Sequence, residues 1–294
     1  MDTHKDFIVA DAGSTKTTWF RIFPDGRRAF TVTQGINPVL QDDAAIRGII
    51  EKEAFPRQIF DNTENSHIYY YGAGCIPSQC RRMETLLAGV CRSSHVEVRS
   101  DLWGAARALC GHEAGIACIL GTGANSCKYD GRDIVRHVSP LGYILGDEGS
   151  GAALGKRLVA DILKKLLPED LCHEFASAYG WDETDIIRKV YREPGANRFL
   201  ASLTPFLKAH AAHPAIHALL LECFDAFFAR NVMSYAPGTL PVHFTGSIAF
   251  HFQNELKEAA RHRHLCVGKI IKDPMEGMLK YHSASPKTSL NKTF

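Results

Sequence analysis

The chain has 294 residues, 45% hydrophobic and 22% charged, and its 34 Lys and Arg against 32 Asp and Glu leave a net charge of +2. This is the profile of a globular protein, which excludes disordered, collagen-like and coiled-coil builds, and at roughly 150 residues per domain it predicts two domains. The near-neutral balance argues against a nucleic-acid or anionic-membrane partner. No apolar run nears the roughly 20 residues that span a bilayer, and the charged start runs straight into a strand, as expected of a cytoplasmic protein.

In chain order, Phe7–Asp11 reads as a first strand, followed by a polar turn at Gly13 and a second strand, Thr17–Phe23. Pro24-Asp25-Gly26 is a turn, since Pro presets φ and Gly accepts a positive one. Arg28–Thr33 then closes a second hairpin. A helix is expected over Asp42–Ala54, a strand over Ser66–Tyr71, and a helix from Pro77 to about Val90. The strand His95–Val98 leads through Asp101 into the helix Leu102–Leu109.

The opening pattern recurs in the second half, where the strand Gly115–Leu120 meets the turn Gly121-Thr122-Gly123 and two extended segments follow, Ser126–Tyr129 and Ile134–Val138. Helices are expected at Ala152–Lys165, Ala201–His210, His217–Met233 and Ile248–Arg261, and strands at Val242–Thr245 and Leu265–Ile271. Pro274 opens a terminal helix to about His282, and the polar residues after it read as frayed. The domain boundary is placed near Gly111–Gly115, giving domains 1–112 and 113–273.

Nine cysteines, odd in number and without C-x-x-C spacing, read as reduced thiols rather than a disulfide framework or a zinc site. His210, His213 and His217 lie close in sequence, but Pro214 is expected to break their helical register, so they read as a solvated surface.

Five segments could carry chemistry. Asp11-Ala12-Gly13-Ser14-Thr15-Lys16-Thr17 sets a carboxylate at a strand end before small residues whose amides can approach a phosphate. It is too short for a Walker loop and is followed by a strand, so a dinucleotide fold is disfavoured; a plain hairpin turn is the alternative. Gly121-Thr122-Gly123-Ala124-Asn125-Ser126 is its counterpart in the second half. Gly142 to Gly151 places four glycines around Asp147 and Glu148, where a helix start alone would also favour acids. Asp101 stands at a strand end as an N-cap or a general base, and Thr245-Gly246-Ser247 offers close backbone approach to a nucleoside.

With these segments in this order, the chain resembles the superfamily of sugar kinases, heat-shock chaperone ATPases and actin. Within it, the resemblance is to the N-acetylglucosamine-kinase-like branch of the BadF/BadG/BcrA/BcrD-type ATPases, from Phe7 to about His282. That resemblance implies an α/β fold of two ribonuclease-H-like domains with ATP and Mg²⁺ in a cleft between them, a terminal helix (about 274–283) packed back on the first domain, and a homodimer. It implies that Asp11 holds hydrated Mg²⁺, that Gly13, Ser14, Thr15 and Lys16 with Gly121, Thr122 and Gly123 bind the phosphates, and that Gly246 and Ser247 lie by the nucleoside. Asp101 would take a proton from the sugar hydroxyl, with Asn37 and Asp147 contacting the sugar.

There are departures from the pattern at four positions: Ala124 in place of a serine, Thr18 in place of an acid, and Leu102-Trp103 after the base where small residues are usual. The resemblance implies an ATP-dependent kinase for an N-acetylhexosamine or related sugar, with the departures bearing on which sugar. Two alternatives are weighed: an ATPase activator of a 2-hydroxyacyl-CoA dehydratase, disfavoured because 142–155 holds no cysteine for a cluster, and a non-catalytic sugar sensor.

Overall fold

The computed structural model describes residues 6–13 and 15–284. The chain divides into two units, one of residues up to Gly111 and from Pro274 onward, the other His112–Asp273. In the first, β1 (Phe7–Ala12), β2 (Lys16–Ile22) and β3 (Arg28–Gln34) form an antiparallel meander. The β2–β3 turn is closed by the Gly26 amide on the Phe23 carbonyl at 2.9 Å. β4 (His67–Gly72) and β5 (His95–Ser100) add in parallel, giving a five-stranded sheet of order β3-β2-β1-β4-β5. The parallel pair needs a crossover, supplied by the helix Pro77–Cys91.

β1 is apolar from Phe7 to Ala10 because the sheet is covered on both faces, and its one charged residue, Asp11, stands near its carboxyl end. On one side Ile8, Ala10, Trp19, Tyr70 and Val98 pack with Met83, Leu86 and Leu87 of that helix. On the other, Phe7, Val9 and Tyr71 pack with Ala108, Met278 and Leu279. The last two belong to the terminal helix Met275–Ser283, whose His282 stacks on Tyr69 at 3.6 Å. The Tyr71 hydroxyl meets His282 Nε2 at 2.8 Å and accepts from Arg107 at 2.5 Å, and Arg107 also binds Glu97 at 2.7 Å.

The second unit repeats the plan. β6 (Gly115–Leu120), β7 (Ala124–Tyr129) and β8 (Ile134–His137) form the meander, with β9 (Val242–Thr245) and β10 (Val267–Ile271) parallel beside it in the order β10-β9-β6-β7-β8. Phe227, Phe228, Phe244 and Phe252 fill its core.

The helices correct the sequence reading in several places. Glu169–Tyr179 and Glu183–Tyr191 are additional helices. The expected Ala201–His210 helix is two, Ala196–Ala201 and Thr204–Ala209, the second opening on Pro205. Pro214 likewise begins the helix Pro214–Phe227 rather than breaking one, and His213 caps it by accepting the Ala215 amide on Nδ1 at 3.1 Å. That helix ends in a wider π-type turn, Phe228–Val232. Ile248–Arg261 is also two helices, Ser247–His251 and Gln253–His262. No helix among the described residues is long and apolar enough to cross a membrane.

Candidate active site

The parallel strands of the first unit end level: Ala12 pairs with Gly72, and Gly72 with Ser100. Carboxyl ends of parallel strands are where α/β sheets bind ligands, and here they carry the half-buried Asp11, the loop after Gly72, and Asp101. The Ala73 amide donates to the Ala12 carbonyl at 2.8 Å, which ties that loop to the end of β1. Gly13 closes the β1–β2 turn by donating to the Lys16 carbonyl at 2.9 Å, and Thr15 and Lys16 are exposed. Ser14 lies outside the described residues.

This turn is stitched to the segment after β3. The Gly35 amide donates to the Thr15 carbonyl at 3.0 Å, and the Ile36 amide to the buried Thr17 hydroxyl at 3.2 Å. Asn37 follows directly, its amide held by Gln41 Oε1 at 2.8 Å and its Oδ1 accepting from the Val39 amide at 3.1 Å. The Asn37 carboxamide lies against Gly74, where a Cβ would fall 2.2 Å from Oδ1; Gly74 also has φ +78°, a conformation that suits glycine.

Ser100 is the N-cap residue, so Asp101 is the first helical residue of Asp101–Cys110 rather than its cap. Its Oδ1 accepts from the Leu102 amide at 2.8 Å. Burial raises the Asp101 carboxyl above the ordinary carboxylate range, and the Leu102 hydrogen bond only partly opposes it. Burial first, then the neighbouring Cys80 and Asp101, push the Cys75 thiol up to about 12. Asp101 follows β5 and the Gly72-Ala73-Gly74 loop follows β4, so the carboxylate and the loop that seats Asn37 lie at the carboxyl ends of neighbouring parallel strands.

In the second unit, three loops interlock at the carboxyl ends of β6 and β9. The Gly151 and Ala152 amides, opening the helix Gly151–Leu163, donate to the Gly121 and Thr122 carbonyls at 2.8 and 3.0 Å. Gly246 takes φ +115°, and a Cβ there would lie 2.3 Å from the Leu120 carbonyl oxygen, so only glycine lets the 245–247 turn seat against Gly121. Asp147 adopts φ +57° and is held there by its own amide on the Pro140 carbonyl at 2.9 Å and by the Ser150 amide on its carbonyl at 3.1 Å.

The Asp147 side chain reaches the Gly-Thr-Gly turn, where Oδ1 accepts from the Ala124 amide at 3.1 Å. Burial, and less so the charge of Glu148, raise its carboxyl above the ordinary value, while Ala124 and Lys156 pull it down. Glu148 instead faces Arg230 at 2.5 Å, so the two acids of the loop have separate partners.

The candidate residues thus fall into two sets. Asp11, Gly13, Thr15, Lys16, Asn37 and Asp101 gather in the first unit, and Gly121, Thr122, Gly123, Asp147, Gly246 and Ser247 in the second. Sequence reasoning passed over Gly74 and Gln41, which seat Asn37, although the paired glycines of Gly72-Ala73-Gly74 were a visible signal. The Thr245-Gly246-Ser247 turn was singled out for its backbone, but not for the Thr245 side chain, whose buried hydroxyl meets no protein partner beside Gly246.

These features suit a nucleotide: an orphaned hydroxyl, a turn closed to any Cβ, and amide-rich loops. Among the described residues no group of three or more His, Cys, Asp or Glu side chains could hold a metal ion. One carboxylate, that of Asp11, would suit a hydrated Mg²⁺ carried largely by phosphate oxygens and water. The three histidines each face a carboxylate instead: His210 with Glu174, His213 with Asp170, and His217 with Glu258.

No family model and no curated protein matches the chain. Among solved structures it is similar to a protein of Porphyromonas gingivalis provisionally named N-acetylglucosamine kinase, with 45% identity, a TM-score of 0.89, and coverage of 94% of this chain and 98% of that one. A Chromobacterium violaceum protein, also provisionally named N-acetylglucosamine kinase, matches at 22% identity and TM-score 0.73 over 95% and 99% of the two chains. The ethanolamine utilization protein EutJ of Carboxydothermus hydrogenoformans matches at 13% identity and TM-score 0.55 over 96% and 90%, a likeness of fold alone. The fold is that of the actin-like ATPases and hexokinases. The chain belongs to the family of the Porphyromonas gingivalis protein, the N-acetylglucosamine-kinase-like proteins.

Proposed function

We propose that the chain is an ATP-dependent kinase that phosphorylates a hydroxyl of an N-acetylhexosamine or related sugar, within the BadF/BadG/BcrA/BcrD-type branch. The observation that carries the reading is the placement of Asp101 and of the Gly74 loop that seats Asn37 at the carboxyl ends of the neighbouring parallel strands β5 and β4. A carboxylate and a fixed carboxamide thereby share one end of the sheet, the end at which α/β sheets bind ligands. The 45% identical relative, provisionally named N-acetylglucosamine kinase, supports the same substrate class.

In this reading Asp101 accepts the proton of the attacking hydroxyl, a step worth about 10²–10⁴ in rate. Its bond from the Leu102 amide fixes which oxygen faces the sugar. Asn37 and Asp147 orient the sugar through its other polar groups. The turn of Gly13, Ser14, Thr15 and Lys16, with the Lys16 charge, and the turn of Gly121, Thr122 and Gly123 bind the phosphates, and Gly246 and Ser247 lie by the nucleoside. Asp11 holds Mg²⁺ through water. ATP supplies the phosphoryl group when bound, and Mg²⁺ neutralises its charge. Positioning and charge neutralisation are most of what phosphoryl transfer needs.

We place the protein in the cytoplasm, acting as a homodimer. Its cysteine pattern supports a reducing compartment; light scattering tests the dimer. The function is tested by a coupled ADP-release screen with MgATP across N-acetylated sugars, amino sugars and plain hexoses. Turnover that rises selectively with an N-acetylhexosamine is expected, and equal ADP release with and without every sugar would overturn the reading.

A further inference from the structure

The loop that presents Asn37 is held at several points by one guanidinium, that of Arg82. It projects from the helix Pro77–Cys91, the helix that follows the Gly74 loop. Arg82 Nη1 donates to the Pro38 carbonyl at 2.6 Å and to Gln79 Oε1 at 2.9 Å. Nη2 donates to the Gln41 carbonyl at 2.9 Å, and Nε to Asp43 Oδ1 at 2.6 Å. Three of these four acceptors lie between Pro38 and Asp43, on the connection from Asn37 to the helix Asp43–Ile49.

Gln41 completes the link. Its backbone carbonyl is held by Arg82, while its side chain accepts the Asn37 amide at 2.8 Å and donates to the Gly35 carbonyl at 3.1 Å. The Gln41 amide in turn donates to the Asn37 carbonyl at 3.1 Å. A planar guanidinium presents its donors in a fixed fork, so the Asn37 loop is registered against the helix carrying Arg82, and the Asn37 carboxamide against Gly74.

We infer that Arg82, acting through Gln41, is a positioning residue for the acceptor sugar. It sets the place of Asn37 without touching the substrate itself. The inference rests on the kinase reading, and it predicts a defect confined to the sugar side. Lysine cannot replace Arg82, because one ammonium cannot satisfy carbonyls on two residues and the Asp43 carboxylate in the same geometry.

The test is steady-state kinetics of the full chain and of Arg82→Ala, Arg82→Lys and Gln41→Leu, varying N-acetylglucosamine at saturating MgATP and then the reverse. Arg47→Ala, from an exposed pair with Glu51, serves as the control. All three test variants are expected to raise the sugar KM by about 10- to 100-fold. Their kcat and ATP KM are expected to stay within about twofold of the parent, the mark of lost binding shared by ground and transition states.

A role in stability alone would lower the active fraction and leave the sugar KM unchanged. An unchanged sugar KM, or an equal rise in the ATP KM, overturns the assignment. If the Arg82 variants do not fold, Gln41→Leu decides alone, since it cuts the Asn37 link and leaves the guanidinium bonds to Pro38 and Asp43. Absence of sugar-dependent turnover by the unaltered chain instead overturns the kinase reading on which the assignment depends.

Discussion

Gly74→Ala should damage use of the sugar far more than use of ATP. The added Cβ would sit 2.2 Å from Asn37 Oδ1 and 2.9 Å from its Cγ, where ordinary contact begins at 3.4 Å, so the carboxamide must retreat by about 1.2 Å. It cannot retreat freely, because the Val39 amide holds Oδ1 and Gln41 holds the Asn37 amide. A misplacement of about 1 Å can cost about 10²-fold in rate, so kcat/KM for the sugar should fall by roughly that factor while the ATP KM stays within about twofold. Alanine at φ +78° adds strain of about 1–2 kcal/mol, which lowers the thermal midpoint by roughly 2–8 °C. Coupled ADP release and a thermal melt read both effects. Gly89→Ala, at a helical site with nothing within 4 Å, should leave the sugar kinetics unchanged. Parent-like sugar kinetics in Gly74→Ala would refute the placement of Asn37 and its role.

Gly246→Ala meets backbone rather than side chain, 2.3 Å from the Leu120 carbonyl oxygen, so a fluorescent ATP analogue should bind at least about 10-fold more weakly; unchanged affinity would remove the nucleoside role from that turn. Because burial raises the Asp101 carboxyl, the folded chain takes up that proton more readily than the unfolded one. Stability from this group is full below about pH 4 and declines as pH rises through the folded-state value. Asp101→Asn should therefore exceed the parent in urea midpoint at pH 7, with the gap closing toward pH 4; a gap independent of pH would contradict the burial argument. Tyr71→Phe removes the hydroxyl shared by Arg107 and His282 and should cost about 1–3 kcal/mol, read by urea unfolding, with the sugar KM unmoved.

Much of this architecture is legible in local patterns. The Pro24-Asp25-Gly26 turn and the alternation through β1 to β3 report the first meander, and the same strand-turn-strand sequence at Gly115–Tyr129 reports the second. Helix boundaries are harder wherever proline plays two parts: the expected Ala201–His210 helix runs through Pro205, and Pro214 reads as an interruption, yet each stands in the first turn of a helix, where its missing amide costs nothing. Glu183–Tyr191 escapes a periodicity reading because only Ile186 is buried along it.

For the site, turns with clustered Gly, Ser, Thr and Asp carry the signal, so Asp11, Gly121 and Asp147 could be named. Gln41 and Arg82 could not, since their importance lies in contacts made across the fold, and the Gly72-Ala73-Gly74 pair marks a turn without showing that Asn37 packs on it. The Asp147 contact to the Ala124 amide was equally hidden, since the residues are 23 apart and meet only because Gly151 and Ala152 seat the loop on the turn.

The central claim is that Asp101 deprotonates a sugar hydroxyl for attack on ATP. Its most direct test is sugar-dependent ADP release by the parent and by Asp101→Asn, with ATP affinity measured on the same samples. The account predicts a kcat lowered by about 10²–10⁴ with nucleotide affinity retained. A variant that phosphorylates the sugar as fast as the parent would contradict it.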